Sequence, residues 1–154
     1  MKIHVIVNPN AGRRVVQHNL EQIIGKLILD GTAEAVTVTR TEKTNDATGA
    51  AAACTAADTD LIIGCGGDGT INEIANGMMQ SGEDIPLAIL AAGTSNDFAS
   101  SLRLPDEPED FCQMVREGHC RRVDLGLANN ETYFVNVAAF GMFTNVSHTT
   151  DRNA

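Results

Sequence analysis

The segment from Leu61 to Glu73 contains the residues whose types and spacing are best suited to chemistry. An apolar run leads into four glycines around one carboxylate, Asp68, and a helical pattern follows. Glycines allow backbone N–H groups to approach an anion closely, and a helix start adds unpaired N–H groups and the positive end of the helix dipole. The segment therefore predicts a phosphate-binding turn.

Asp68 indicates that a cation accompanies the phosphate. A carboxylate about 4 Å from a phosphate repels it by roughly 4 kcal/mol at an effective dielectric constant near 20. A divalent cation between the two groups turns this repulsion into attraction, and Mg²⁺ typically binds through one or two carboxylates together with substrate phosphates. The turn therefore predicts a site for a magnesium–nucleotide complex rather than for a bare anion.

Other interpretations of the same glycines are less well supported. Gly64-x-Gly66-x-x-Gly69 has the spacing of a dinucleotide-binding turn, which requires an acidic residue at the end of the next strand. That strand ends at Leu90–Gly93 without one, and no Gly-Lys-Ser/Thr tripeptide of a P-loop is present. A purely structural turn, in which the glycines only supply positive φ, is the remaining alternative.

The pattern on either side predicts the elements that must position this turn. Apolar runs alternate with helical periodicity, which is typical of βαβ units in an α/β protein with a doubly wound, mostly parallel sheet. Asn45 and Asp46 are expected to cap the second helix, and Thr70 with Glu73 has the spacing of a capping box. The predicted strands are Lys2–Val7, Ala33–Thr39, Leu61–Ile63 and Pro86–Leu90. The first predicted helix runs from Val16 to a stop near Gly31, and the others are Asp46–Ala57, Ile71–Met79, Asp97–Leu104 and Asp106–Glu117.

The periodicity changes after Gly118. Alternating apolar residues from Val123 to Leu127 and from Tyr133 to Val137 flank Asn129-Asn130, which predicts an antiparallel hairpin. We therefore assign residues 1–122 to an α/β nucleotide-binding domain, and residues 123–154 to a return strand, a hairpin and the start of a β-rich second domain. The expectation is a chain that stops partway into a two-domain protein.

Composition argues against several classes of partner. The net charge is −9 and basic residues form no broad cluster, so neither a nucleic acid nor an anionic membrane is an expected partner of this half of the protein. The four cysteines lack metal-ligand spacing, which favours buried, reduced thiols in a cytoplasmic protein. The apolar run before Asn8-Pro9 is too short for a signal peptide or a membrane span.

Several motifs in a fixed order resemble one known family. The segments Gly66–Glu73 and Gly93–Ala99 resemble the catalytic domain of the diacylglycerol kinase and sphingosine kinase family, in particular its soluble bacterial lipid kinases. Gly-Gly-Asp-Gly-Thr alone is shared with NAD kinases and phosphofructokinases, whose Rossmann-like fold the resemblance also implies. The further agreeing segments are Asn8–Gly12, Thr41 with Asp46-Ala47, Val123–Gly126 and Phe134–Gly141.

The resemblance implies a set of site residues. ATP phosphates are expected against the backbone of the glycine turn, and Asp68, Asp97 and Asp124 are expected to converge on a Mg²⁺–water network. Taken alone, Asp97 is equally well explained as an acid in a first helical turn, and Asp124 as a solvated strand residue. The implied nucleotide-binding residues are Asn8, Thr41, Gly66, Gly67, Asp68, Gly69, Thr70, Glu73, Thr94 and Asn96.

The resemblance further implies an ATP- and Mg²⁺-dependent lipid kinase. The family's general base lies in its second domain and no residue here matches it, so the chain alone is expected to be inactive. Diacylglycerol, a sphingoid base and phosphatidylglycerol remain open as acceptors, with peripheral membrane contact through the second domain and a homodimer as one option. The alternatives are an NAD kinase-like enzyme acting on a soluble hydroxyl and a non-catalytic nucleotide-binding module.

Overall fold

The computed structural model describes residues 1–11 and 14–136 of the chain. It contains an α/β domain followed by a short hairpin. None of the helices in the described ranges is long and apolar enough to cross a membrane. The strands are β1 (Lys2–Val7), β2 (Ala35–Arg40), β3 (Leu61–Gly66), β4 (Leu87–Ala91), β5 (Gly126–Ala128) and β6 (Thr132–Phe134), and the helices are α1 (Arg14–Leu29), α2 (Asp46–Ala52), α3 (Asp68–Ser81), α4 (Asp97–Ser101) and α5 (Pro108–Glu117).

The first four strands form a parallel sheet in the order β2-β1-β3-β4. Successive side chains of a strand point to opposite faces, and both faces of this sheet are covered. Val5 and Ile63 pack with α1 and α5 on one face, whereas Ile6 and Ile62 pack with α2, α3 and α4 on the other. All six residues of β3 are buried. The predicted doubly wound α/β architecture is therefore confirmed.

This architecture brings the ends of three strands to the same edge of the sheet. The N–H of Asn8, just after β1, donates to the carbonyl of Cys65 at 2.9 Å, and the N–H of Ala92, just after β4, donates to Gly66 at 2.9 Å. Parallel pairing thus continues to the last residue of each strand, and the loops that follow β1, β3 and β4 emerge side by side. Ligands of open α/β sheets bind at such an edge.

Two helices, α2 and α4, end earlier than predicted. Helix α2 ends at Ala52 rather than near Ala57, because a turn follows in which the carboxylate of Asp58 accepts the N–H of Thr55 at 3.2 Å. Asn45 precedes α2 in a left-handed conformation and its side chain makes no cap. Helix α4 ends at Ser101, three residues before the predicted end.

The predicted capping box of α3 is wrong. The helix begins at Asp68 after Gly67, so Thr70 lies inside the first turn, and no side chain caps the start. The apolar stripe is confirmed at Ile71 and Ile74, which are buried. Met79 is 45% exposed and does not belong to it. Helix α5 agrees with its pattern, since Phe111 and Val115 are buried and Gly118 ends it with φ of 64°.

The predicted hairpin is confirmed as β5 and β6, which pair antiparallel. Asn129 and Asn130 between them have φ of 52° and 57°, the positive values that tight hairpin turns require. The predicted return strand starts later than expected, because residues 121–125 have no regular structure and β5 begins at Gly126. Val137 and the rest of the predicted second domain lie outside the described residues.

The cysteine prediction is correct for three of four positions. All four thiols are free, and Cys54, Cys65 and Cys112 are buried. Burial raises the pKa of Cys65 to about 12, so this thiol stays protonated and unreactive. Cys120 is exposed, contrary to the prediction, because it follows the end of α5 in an irregular segment.

Candidate functional site

The glycine turn after β3 is unusually short. Gly67 alone separates β3 from α3, with an extended backbone at φ −86° and ψ −177°. None of Gly64, Gly66, Gly67 and Gly69 has a positive φ; the glycines with positive φ in the described ranges lie at other turns. The alternative in which these glycines only supply positive φ is therefore wrong. At Gly66 and Gly67, a side chain would instead lie too close to neighbouring atoms, those of Thr70 and of Gly93.

A second turn packs directly against the first. A Cβ atom on Gly93, in the turn after β4, would lie 2.6 Å from the Cα of Gly67, and one on Gly67 would lie 3.1 Å from the Cα of Gly93. The two backbones thus touch where any side chain would separate them. By contrast, a Cβ on Gly69 would meet no atom within 4 Å. The first turn of α3 is therefore open on the side of Gly69.

The side chain of Asn96 stabilises the second turn by hydrogen bonds to the backbone of Gly93. Its Oδ1 accepts the N–H of Gly93 at 2.7 Å, and its Nδ2 donates to the carbonyl of Gly93 at 2.9 Å. The residue has φ of 54°, a left-handed conformation that asparagine tolerates better than most residues. Its polar atoms thus hold the turn closed, whereas Thr94 is exposed.

Asp68 connects the two turns through its carboxylate. Its Oδ2 accepts the N–H of Asp97 at 3.1 Å, and its Oδ1 accepts the N–H of Phe98 at 3.1 Å, so the first residue of α3 caps α4. Oδ1 also accepts the Nδ2 of Asn136 at 3.0 Å. Partial burial by itself would raise the pKa of Asp68, but the hydrogen bonds from Phe98, Asp97 and Asn136 outweigh it and lower this pKa. Asp68 is therefore a carboxylate at neutral pH.

Asn8, just after β1, and Thr41, just after β2, add two polar residues to the same edge. The Nδ2 of Asn8 donates to the Oγ1 of Thr70 at 3.2 Å, and the Oδ1 of Asn8 accepts the N–H of Asn10 at 3.0 Å. Thr41 is buried at the end of β2, where its N–H donates to the carbonyl of Val7 at 3.0 Å. Asn8 and Thr70 are thus in direct contact, as a shared site requires.

Glu73 lies about one helical turn after Thr70 in α3 and lines a polar cavity. The cavity has a volume of about 220 Å³ and lies between the start of α2, the side of α3 that carries Asn72 and Asn76, and the hairpin. The carbonyl of Glu73 accepts the Oγ1 of Thr48 at 3.1 Å, which joins α3 to α2. The cavity is lined by Asn45, Thr48, Asn72, Glu73, Asn76, Gln80, Glu131 and Thr132.

The three predicted magnesium-network carboxylates are not all brought together. Asp97 adjoins Asp68 through its backbone, and its side chain is exposed. Asp124 lies in the irregular segment before β5, exposed to solvent. Within residues 1–11 and 14–136, no three Asp, Glu, His or Cys side chains are grouped closely enough to hold a metal ion. The network of three therefore stays a prediction.

Sequence reasoning missed three residues of this region, Asn72, Asn76 and Asn136. All three make hydrogen bonds between α3 and the hairpin or the two residues after it. A signal was present, because Asp68, Asn72 and Asn76 recur every four residues on a helix whose apolar stripe lies elsewhere. The spacing places the three residues on one side of α3, and only the tertiary contacts show that this side meets the hairpin.

A parallel α/β sheet, an uncapped helix start after its buried central strand and a second glycine turn packed on the first are together typical of α/β domains that bind phosphate groups. A sequence model of the diacylglycerol kinase catalytic domain matches residues 2–128. The chain belongs to this family.

Individual relatives agree with the family assignment. The chain is 37% identical over 149 residues to a diacylglycerol kinase of Staphylococcus saprophyticus, covering 97% of this chain and 48% of the relative. It is 36% identical over 149 residues to a diacylglycerol kinase of Staphylococcus epidermidis, covering 97% of this chain and 46% of the relative. A crystal structure of a diacylglycerol kinase from Bacillus anthracis matches with a TM-score of 0.74 and 33% identity, over 88% of this chain and 48% of that one. The chain thus spans about half the length of the relatives it matches.

Proposed function

We propose that this chain is the nucleotide-binding half of an ATP- and Mg²⁺-dependent lipid kinase, which transfers the γ-phosphate to a lipid hydroxyl. The observation that carries the proposal is the pair of turns joined at Gly67 and Gly93, with the first turn of α3 left open beside them. Membership of the diacylglycerol kinase catalytic domain family supports the reaction class. The names of the relatives favour diacylglycerol over the other acceptors.

A triphosphate fits the open start of α3. The first N–H groups of an α-helix have no acceptor within the helix, and no side chain takes that place here. With no side chain at Gly67 or Gly69, an anion can approach these N–H groups closely. Asn8 and Thr70 offer polar atoms at the same edge. These residues bind and orient the phosphates, which is the larger part of catalysis in phosphoryl transfer.

A metal ion fits the charge of the site. Neither turn contains a lysine or arginine, while Asp68 and Asp97 add negative charge beside the proposed phosphates. The carboxylate of Asp68 accepts hydrogen bonds from Asp97, Phe98 and Asn136. The backbone N–H of Asn96 also helps to lower its pKa. Asp68 would therefore reach the ion through a bound water, or directly in place of one of these donors. When bound, Mg²⁺ would neutralise phosphate charge.

A calorimetric titration of this chain with ATP tests the proposal. We expect weak binding that is clearly tighter with Mg²⁺ than in excess chelator, because an uncompensated triphosphate is repelled by the carboxylates. Equal affinity under both conditions would remove the metal from the proposal. A folded sample that binds no adenine nucleotide under either condition would refute the site.

The chain by itself should not phosphorylate a lipid at a measurable rate. No residue here matches the family's general base, whose loss typically removes a factor of about 10² to 10⁴. In this proposal, the acceptor contacts, the membrane contact and any dimerisation belong to the second half of the kinase. A mixed-micelle assay with labelled ATP and several lipid alcohols measures this. Transfer that scales with the amount of this chain and requires Mg²⁺ would show that the complete site is already here.

A further inference from the structure

Helix α3 carries a row of polar residues that contacts the end of the hairpin. Asp68, Asn72 and Asn76 are spaced by four residues, so they lie on one side of the helix. Each makes a hydrogen bond to the segment 133–136, which consists of the last two residues of β6 and the two that follow. The row therefore runs alongside the chain where it leaves the hairpin.

Most of these hydrogen bonds are made to the backbone of segment 133–136, and one is made to a side chain. Asn76 accepts the N–H of Tyr133 with Oδ1 at 2.9 Å and donates from Nδ2 to the carbonyl of the same residue at 2.8 Å. This paired exchange imitates a neighbouring strand. Asn72 accepts the N–H of Val135 with Oδ1 at 3.2 Å. Two amide side chains thus satisfy backbone groups of Tyr133 in β6 and of Val135 just after it.

The same row ends in the phosphate site. Asp68 accepts the side-chain Nδ2 of Asn136 with the oxygen that also accepts the N–H of Phe98. A shift of the segment 133–136 therefore changes the contacts of the carboxylate that holds α4 against the glycine turn. Asn72 and Asn76 do not belong to the turn itself, yet they lie on the helix that begins there.

We propose that Asn72 and Asn76 are positioning residues of a clamp that fixes segment 133–136 on α3, and that nucleotide binding at the start of α3 is coupled to this clamp. The coupling rests on the proposed nucleotide site, whereas the clamp does not. Energetic coupling between two sites is reciprocal, so the clamp strengthens nucleotide binding by the same factor by which the nucleotide strengthens the clamp. The segment leads towards the predicted second domain, which gives the clamp a role in placing the two halves of a kinase.

Amide hydrogen exchange of this chain, followed by NMR, tests the clamp. In the double variant Asn72→Ala with Asn76→Ala, we expect the N–H groups of Tyr133 and Val135 to exchange about ten-fold faster, the effect of losing a typical hydrogen bond of about 1.4 kcal/mol. Asn72→Asp keeps the acceptor and should retain the protection of Val135. Gln80→Ala is the matched control, because Gln80 continues the row without a hydrogen bond to the described part of this segment.

Titration with Mg-ATP tests the coupling in the same proteins. Mg-ATP should slow exchange at both amides of the unmodified chain, and the double variant should bind it at least about five-fold more weakly, while Gln80→Ala binds normally. Unchanged exchange in the double variant would refute the clamp. Faster exchange with unchanged affinity would refute the coupling. If the unmodified chain binds no Mg-ATP, the proposed function and the coupling both fail, and the exchange rates still decide the clamp.

Discussion

Helices α3 and α4 both begin at the carboxyl edge of the sheet, but their first N–H groups differ in what they contact. In α4, the N–H groups of Asp97 and Phe98 donate to the carboxylate of Asp68. In α3, the helix starts after Gly67 with no side-chain cap. The carboxylate of Asp68, the first residue of α3, thus caps the N-terminus of α4. The start of α3 therefore keeps its first N–H groups free of side-chain caps, whereas the first N–H groups of α4 are hydrogen-bonded to Asp68.

This difference also changes the interpretation of Asp68. From the sequence, its charge was expected to face a phosphate across a metal ion. In the structure, hydrogen-bond donors already compensate that charge, two of them from the start of α4 and one from the side chain of Asn136. The pKa of Asp68 is accordingly low despite its partial burial. Asp68 therefore supports the site in addition to any contact it makes with a metal ion.

The largest expected effect comes from separating the two turns. Gly93→Ala places a Cβ 2.6 Å from the Cα of Gly67, and neither backbone can move aside without disturbing a strand end. We expect the free energy of unfolding to fall by about 3 kcal/mol, the upper end for overpacking. Denaturant unfolding at neutral pH measures this.

Gly69→Ala is the matched control for Gly93→Ala. The added Cβ meets no atom within 4 Å, and alanine favours a helix over glycine, so stability should stay equal or rise by up to about 1 kcal/mol. Because Cβ atoms tilt towards the helix N-terminus, the same methyl group should still weaken Mg-ATP binding. Equal destabilisation by both variants would contradict the contact between the turns.

The next largest effect is expected at the internal support of the second turn. Asn96→Ala removes two hydrogen bonds to Gly93. It also places alanine in a left-handed conformation, at φ of 54°, which alanine adopts less readily than asparagine does. Together these losses should lower the free energy of unfolding by about 2 kcal/mol. Asn96→Gly keeps the conformation and loses only the hydrogen bonds, so it should lose about half as much. A loss that is equal in both variants would show that the conformation contributes nothing.

The smallest effect is expected from the charge of Asp68. Asp68→Asn keeps the size of the side chain but weakens the cap of α4, which should lower the free energy of unfolding by about 1 kcal/mol at neutral pH. Since the folded-state pKa is lowered, this stabilisation is present above the ordinary aspartate pKa of about 3.9 and is lost as the pH falls through the folded-state value. The difference between the two proteins should therefore shrink below about pH 4.

Unfolding curves of Asp68→Asn and the unmodified chain between pH 3 and pH 7 measure that dependence. A stability difference that does not change with pH would mean that Asp68 acts through its shape alone. The Mg-ATP affinity of both proteins at neutral pH is a second measurement. It should be lower for Asp68→Asn, because the proposed metal contact requires the charge of the carboxylate as well as its shape.

Sequence patterns predicted what depends on local periodicity and backbone chemistry. The order of strands and helices, the buried central strand before Gly67 and the hairpin turn at Asn129-Asn130 all follow from short stretches of chain. Helix ends were predicted less well. The capping box at Thr70 failed because its spacing is met inside the helix as readily as at its start, and α2 ended early at a turn made by Asp58.

The tertiary structure alone decided how the site residues are used. Asp68 caps a helix that lies 29 residues further along the chain, and Asn76 binds a strand 57 residues away. No local pattern encodes these partners, because they depend on which loops the parallel sheet brings to one edge. The sequence by itself determined that a glycine turn with an acid follows a buried strand. Packing determined that the acid faces the neighbouring helix and leaves the start of its own helix open.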